Sequence, residues 1–76
     1  MISYEPLWET MRQKNMTTYK LMKEHAISSH TIDTLKHDGS ITMNTLENLC
    51  RILACEPQHI VKFYFDEEFE QETEKG

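Results

Sequence analysis

The chain has 76 residues, with 13 acidic against 8 basic residues and a formal net charge of −5 at pH 7. A chain of this length forms one small domain, which excludes a deep catalytic cleft between two lobes. The sequence contains no run of about 20 apolar residues and begins without a basic leader, so we expect a cytoplasmic protein that is neither exported nor embedded in a membrane.

Charge is unevenly distributed along the chain. Residues 66–76 hold six of the acidic residues and one of the basic ones, which leaves seven of each sign in residues 1–65. An acidic run with a single aromatic residue buries too little apolar area to offset the entropy lost on ordering. The sequence therefore predicts a neutral folded domain over residues 1–65 and a disordered acidic tail over residues 66–76.

The residues up to 27 predict two helices. The first begins near Pro6, which suits a first helical turn, and runs to about Lys14. The second is short and is capped by Thr17 or Thr18. Their apolar faces consist of Leu7, Trp8 and Met11 in the first helix, and Leu21 and Met22 in the second.

A third helix is predicted from its cap Ser28 to Gly39, which ends it as a C-terminal glycine. Because Ile32 and Leu35 are three residues apart, they lie on one side, and we expect them to be buried together with Ile27. The polar residues on the other side are Ser29, His30, Asp33, Thr34 and His37. The third helix therefore presents a hydrophilic face outward.

The clearest helical pattern follows Thr42, which has the position of an N-cap. The apolar residues of this fourth helix are Met43, Leu46, Leu49, Cys50 and Leu53, and its outward residues are Glu47, Asn48 and Arg51. Cys50 and Cys55 are the two cysteines of the chain. We expect both to be reduced residues of a helical core rather than part of a disulfide framework.

Glu56 and Pro57 are expected to cap and begin a fifth helix over residues 58–65. Its buried residues would be Ile60, Val61 and Tyr64. Phe63 and Phe65 are then left as exposed aromatic residues. They predict either a dimer contact or an extended end that pairs with a second subunit. Throughout the chain the alternation of apolar and polar residues is too weak to predict a strand.

Two short helices joined by a tight turn, with a polar face on the second, are the arrangement that presents one helix to the major groove of DNA. Residues 21–39 followed by residues 41–60 resemble the lambda-repressor and Cro-like helix-turn-helix family, also called the xenobiotic-response-element type. The matching positions are Leu21, Met22, Ala26, Ile27, Ser28, Ile32, Leu35, Leu46, Leu53, Glu56 and Pro57. The resemblance covers residues 7–60.

The resemblance implies an all-α, compact five-helix lambda-repressor-like domain with its helix-turn-helix at helices 2 and 3. It implies a sequence-specific, repressor-like transcriptional regulator that inserts residues 28–37 into the major groove, as a homodimer on half-sites about 34 Å apart. The implied base contacts are Ser29, His30, Asp33, Thr34 and His37. The implied phosphate contacts are Thr18, Tyr19, Lys20, Lys36, Ser40, Thr42 and Asn44.

The sequence departs from the family pattern in and around the turn. Met22 stands where alanine is usual, and His25 takes a usually apolar position, where we expect it to be half-buried. Ala26 replaces a glycine that often has a positive φ, and alanine is tolerated there if the turn stays right-handed. Residues 36–39 replace the usual Glu-Arg-Gly. These departures bear on DNA affinity more than on the fold.

Other functions have weaker support. Cys50 and Cys55 have no second Cys or His pair, so no zinc site is predicted. We expect no enzyme activity, cofactor or small-molecule substrate, because nucleophilic catalysis needs a pocket that so short a chain hardly provides. The alternative is a protein-interaction module, an antitoxin-like or anti-repressor subunit with weak or no DNA binding. The negative charge favours that alternative.

Overall fold

The computed structural model describes residues 1–65, and over these residues four helices, a 3-10 turn and two short strands follow one another. In chain order they are β1 (Ile2–Ser3), α1 (Glu5–Gln13), α2 (Thr18–His25), α3 (Ser29–Lys36), α4 (Met43–Leu53), the 3-10 turn (Pro57–His59) and β2 (Lys62–Phe63). The predicted acidic tail lies outside the described residues. The helical prediction is confirmed for four of the five helices.

Three of the helices begin at the predicted capping residues. The side chains of Thr17, Ser28 and Thr42 each accept a hydrogen bond from the backbone N–H three residues further on, at 3.1 Å. Such a cap satisfies a backbone donor that the helix leaves unpaired and contributes about 1 kcal/mol. Thr17, rather than Thr18, is therefore the cap of α2.

All four helices are followed, within two residues, by a residue in the left-handed region, and none of these residues is glycine. The residues are Asn15, Ala26, Asp38 and Ala54, with φ between 51° and 57°. After each one, the next N–H donates back into the last helical turn at 2.8–3.1 Å, as in a Schellman motif. The prediction that Gly39 ends α3 as the left-handed residue is wrong, because Asp38 takes that conformation one position earlier.

A glycine is nevertheless needed at position 39, because a larger residue would lie too close to Thr34. Its N–H donates to the Thr34 carbonyl at 2.8 Å, which brings the two residues close together. A Cβ added at Gly39 would lie 2.9 Å from Cγ2 of Thr34. The glycine therefore serves close packing against α3 rather than a positive φ.

Replacing Ala54 with glycine is expected to raise the free energy of unfolding by about 0.5–1 kcal/mol. Alanine in the left-handed region is strained by about 1–2 kcal/mol, and relief of that strain exceeds the extra entropy that glycine has in the unfolded chain, about 0.4–1 kcal/mol. Urea unfolding followed by circular dichroism measures the change. Asn15→Gly is the matched control and should gain less, because asparagine tolerates this conformation. A loss of stability in Ala54→Gly would mean that Ala54 is not strained in the wild type.

The core is built from one apolar face of each helix together with residues that precede α1 and follow the 3-10 turn. Its members are Tyr4, Leu7, Met11, Leu21, Ile27, Ile32, Leu35, Leu46, Leu49, Leu53 and Ile60. Burial of Ile27, Ile32 and Leu35 confirms the predicted anchors. Met43, by contrast, is 72% exposed, so its predicted place in the core is wrong. Cys50 and Cys55 are half-buried at the margin of the core.

The fifth helix is the largest error of the sequence prediction. After the single turn Pro57–His59, the chain becomes extended and β2 pairs antiparallel with β1, with Ile2 opposite Phe63 and Ser3 opposite Lys62. Residues 60–65 are rich in β-branched and aromatic side chains, which favour a strand once a partner is present. The extended end that the sequence allowed for therefore pairs with its own N-terminus.

The side chains of residues 60–65 differ in their burial. Ile60 is fully buried and its carbonyl accepts from the N–H of Leu7 at 3.1 Å, which satisfies a donor in the first turn of α1. Val61 is half-buried, but Tyr64 is 39% exposed, so its predicted burial is wrong. Phe63 and Phe65 are exposed, as predicted.

Candidate nucleic-acid interface

The turn between α2 and α3 determines how the candidate interface is arranged. Ala26 has φ 57°, and the next N–H, that of Ile27, donates to the Leu21 carbonyl at 3.1 Å. The turn is thus left-handed, contrary to the expectation that alanine would require a right-handed one. Ile27 is then buried, and Ser28 caps α3 directly. His25 is half-buried, as predicted.

Buried residues on both helices hold them at a fixed angle. Leu21 of α2 and Leu35 of α3 are fully buried, and Ile32 is 4% exposed. Because these side chains point into one core, the opposite side of α3 is directed away from the domain. The helix-turn-helix predicted from the spacing is therefore present.

The predicted base-contacting residues line this outer side of α3. Ser29, His30, Asp33 and His37 are exposed, and Thr34 is half-buried. The side chains of Ser29 and His30 make no hydrogen bond within residues 1–65. Among the predicted base contacts, they are the two whose side chains can bind an external partner without first breaking a contact within residues 1–65.

The other side chains on this face have local partners. The Thr34 hydroxyl donates to the His30 carbonyl at 3.0 Å, so the hydroxyl oxygen of Thr34 can still accept a hydrogen bond. Nδ1 of His37 lies 2.8 Å from the Asp33 carbonyl and 3.5 Å from Oδ1 of Asp33. A protonated His37 would therefore offset the negative charge that Asp33 brings to the face.

The predicted phosphate-contacting residues lie on α2, at the end of α3, and in the loop and first turn of α4. Tyr19, Lys20, Lys36, Ser40, Thr42 and Asn44 are exposed, and Thr18 is half-buried. Nζ of Lys20 donates to the Asn15 carbonyl at 3.2 Å, and the Thr42 hydroxyl is engaged in capping α4. At Thr42 the groups left for an anion are consequently the backbone N–H groups of the first turn of α4.

Charge at the helix pair is nearly balanced. Its charged side chains are Lys20, Lys23 and Glu24 on α2, and Asp33 and Lys36 on α3. With histidines neutral, the pair carries one net positive charge. Electrostatic attraction to a polyanion is therefore weak for a single copy of the domain.

A polar groove beside the start of α3 was not predicted. It has a volume of about 430 Å³ and lies between the turn and α4. Its polar lining includes Ser28, Thr31, Asn44, Asn48 and Arg51. The sequence signal is the spacing of Asn44, Asn48 and Arg51 on α4: Asn48 and Arg51 are predicted to face outward and Asn44 to contact phosphate, and none of them is connected with Thr31.

Tyr4 joins the far end of α3 to the N-terminus and was also missed. Its N–H donates to Oδ1 of Asp38 at 3.2 Å, and its hydroxyl donates to the Gly39 carbonyl at 2.6 Å. Burial and then the nearby Asp38 carboxylate raise the pKa of Tyr4. No local pattern identifies this contact, because the partners are 34 and 35 residues away in sequence.

Tyr4→Phe is expected to lower the free energy of unfolding by about 1–2 kcal/mol at pH 7, since the Gly39 carbonyl loses its donor. The wild type should show a further loss in alkali. Because the pKa of Tyr4 is higher in the folded state than in the unfolded state, the folded state binds the proton more tightly. That contribution is complete below about pH 10 and is lost as the pH rises through the raised pKa.

Urea unfolding between pH 7 and pH 11 measures both effects. Tyr19→Phe is the matched control, because Tyr19 is 63% exposed and lies on α2, remote in sequence from Tyr4. This control should keep the stability of the wild type at pH 7 and its alkaline loss. If Tyr4→Phe loses as much stability in alkali as the wild type, the Tyr4 contact does not cause that loss.

Residues 1–65 contain neither a candidate membrane span nor a candidate metal-binding cluster. No helix among them is long and apolar enough to cross a bilayer. No cluster of three or more His, Cys, Asp or Glu side chains is arranged to hold a metal ion within the same residues.

Comparison with known proteins agrees with the geometry. The sequence model of the Cro/C1-type helix-turn-helix DNA-binding domain matches residues 6–66. A crystal structure of the transcriptional regulator VanUg is similar, with a TM-score of 0.78, 22% sequence identity, and coverage of 86% of this chain and 87% of that chain. At this identity the likeness shows the fold alone. No curated protein sequence matches the chain.

Proposed function

Because the chain belongs to the Cro/C1-type helix-turn-helix DNA-binding domain family, we propose that it is a repressor-like transcriptional regulator that inserts α3 into the major groove at specific sites. This family consists of DNA-binding domains, not enzymes. The observation that carries the proposal is the outer side of α3, where Ser29 and His30 are exposed and have no partner within residues 1–65. A cytoplasmic location is part of the proposal.

The exposed groups of α3 offer a mixed set of hydrogen bonds to base edges. The Ser29 hydroxyl donates or accepts, and the His30 ring donates to guanine N7 or O6 when protonated. Asp33 accepts from the amino group of cytosine, although nearby phosphates oppose its charge. Such a set favours G·C pairs in the half-site.

Phosphate contacts position the helix without reading the sequence. We assign them to the predicted residues on α2, to Lys36 and to the loop and first turn before α4. The backbone N–H groups that follow Thr42 suit an anion, because the helix dipole adds positive potential there. With few cations available, the salt dependence of binding should be shallow.

A second copy would compensate for the weak attraction of one domain. Two linked domains on half-sites about one helical turn apart combine their contacts, so the affinity rises without new contacts in either half. Exposed Phe63 and Phe65 near the end of the domain supply apolar surface for such a dimer. The dimer is part of the proposal.

Selection of bound duplexes from a random library by the full chain tests the proposal. We expect enrichment of a palindrome whose half-sites are centred about 10 base pairs apart, confirmed by anisotropy titration in excess nonspecific competitor. Enrichment of a single half-site would retain DNA binding and remove the dimer. Failure to enrich any sequence, even at low salt, would contradict the proposal.

A protein-interaction module is the second candidate, and the charge favours it. Residues 1–65 are neutral and residues 66–76 are acidic, which weakens attraction to DNA. This candidate predicts no competitor-resistant complex in the same titration. The same titration therefore distinguishes the DNA-binding regulator from the protein-interaction module.

A further inference from the structure

Cys50 and Cys55 are brought together by the way α4 ends. Ala54 takes the left-handed conformation, with φ 51°, and the N–H of Cys55 donates to the Cys50 carbonyl at 3.0 Å. In a Schellman motif these two positions are the ones whose side chains contact each other across the helix end. In most proteins that contact is between apolar side chains, whereas here both members are thiols.

Backbone spacing at this motif suits a disulfide. A disulfide needs Cα atoms within about 7 Å and Cβ atoms directed toward each other. Two residues whose backbone N–H and C=O are hydrogen-bonded meet the first condition, and the contact of their side chains meets the second. Both cysteines are free thiols in the structure.

The two thiols differ in their access to solvent. Both are half-buried, but Cys55 lines a surface depression of about 400 Å³ that also includes Lys14, Glu56 and His59. Cys50 does not line that depression. Burial and then the neighbouring Cys55 thiol raise the pKa of Cys50, which keeps Cys50 protonated. A reagent from solvent therefore meets Cys55 first.

We propose that Cys50 and Cys55 form a dithiol site that hydroperoxides oxidise to an intramolecular disulfide. The Cys55 thiolate attacks the hydroperoxide, so that an S–O bond forms, the O–O bond breaks, and the alkoxide leaves and takes a proton as an alcohol. Cys55 is then a sulfenic acid. The Cys50 sulfur attacks it, the S–S bond forms, and the S–O bond breaks with loss of water.

The balance of this reaction is two thiols and one hydroperoxide giving one disulfide, one alcohol and one water. Two electrons pass from the sulfurs to the peroxide. A small-molecule dithiol such as dithiothreitol reverses the step by exchange. The disulfide closes a short loop across the end of α4 and restrains the unfolded chain.

Oxidation of the full chain with hydrogen peroxide tests the site. After alkylation, intact mass spectrometry should show the loss of two hydrogens and no added alkyl group, and a peptide map should join Cys50 to Cys55. The midpoint of thermal unfolding should rise by about 5 °C or more and return after reduction. Sulfinic or sulfonic acids, or dimers linked between chains, in place of the internal cross-link would overturn the proposal, as would a lowered midpoint.

Two serine variants test the order of attack. Cys50→Ser should accumulate a sulfenic acid at Cys55 that dimedone traps, whereas Cys55→Ser should trap several-fold less at Cys50 under the same peroxide concentration. The opposite ratio would overturn the assignment of Cys55 as the attacking thiol. If a serine variant does not fold, by circular dichroism, the mass of the oxidised wild type still decides whether the site exists.

Discussion

Leu49→Ala is expected to remove most of the stability of the domain. Leu49 is fully buried in the middle of α4, between Leu46 and Leu53 on the same face. Truncating a buried leucine removes its transfer free energy and leaves a cavity, at a total cost of about 3–5 kcal/mol. A folded unit of this size has a free energy of unfolding of about 3–10 kcal/mol. Urea unfolding at 25 °C should therefore show a midpoint near zero denaturant or a greatly lowered one.

Met43→Ala is the matched control on the same helix. Met43 was also predicted to be part of the core, but it is 72% exposed in the first turn of α4. Its truncation should change the free energy of unfolding by less than about 0.5 kcal/mol. Comparable losses in the two variants would mean that α4 is rotated relative to this description.

Met43 also shows where helical periodicity stops being informative. The spacing of apolar residues placed Leu46, Leu49 and Leu53 correctly, since all three are buried in the core. At the first turn of a helix the neighbours are loops, so a residue on the apolar face can still be exposed. Periodicity gives the direction of a side chain and does not tell whether anything covers it.

Helix starts were predictable and helix ends were not. A cap is a local hydrogen bond between a side chain and a backbone N–H three residues on, so Thr17, Ser28 and Thr42 could be read from the sequence. A left-handed residue that is not glycine has no such signature. Ala54 and Asp38 adopt that conformation because the chain must turn back to the core, and the packing beyond the helix decides it.

The C-terminal strand depended on a partner that no local window contains. Pro57 to Ile60 carry genuine helix-start signals, and the capping box at Glu56 is formed. What ends the helix after one turn is pairing with Ile2–Ser3, at the opposite end of the sequence. Antiparallel pairing at that separation is a property of the fold, and the same is true of the Tyr4 contact to Gly39.

On the candidate interface, the sequence predicted exposure well and interactions poorly. The outward direction of Ser29, His30, Asp33 and His37 followed from Ile32 and Leu35 being buried. The sequence did not predict that the Thr34 hydroxyl donates to the backbone of its own helix. It also did not predict that Thr31 lines a groove with Arg51. The contacts of these residues with bases and phosphates stay predictions.

His30→Ala is expected to weaken specific DNA binding by about 5- to 150-fold, the equivalent of one good base contact of about 1–3 kcal/mol. His30 is exposed and its side chain has no hydrogen bond within residues 1–65, so the thermal midpoint should stay within about 2 °C of the wild type. The measurement is an anisotropy titration against the selected site and against a scrambled duplex. Binding to the scrambled duplex should be unchanged, because base contacts add nothing there.

Lys36→Ala is the comparison that distinguishes a contact with the bases from a contact with phosphate. Lys36 is exposed at the end of α3 and is proposed to contact phosphate, so its loss should weaken binding to both duplexes alike and lower the salt slope by about 1. Adding Ser29→Ala to His30→Ala should lower only the specific affinity further. If His30→Ala weakens both duplexes equally, or if it lowers the thermal midpoint by as much as a buried residue does, then α3 does not present His30 to the bases, and the orientation of the domain on DNA must be revised.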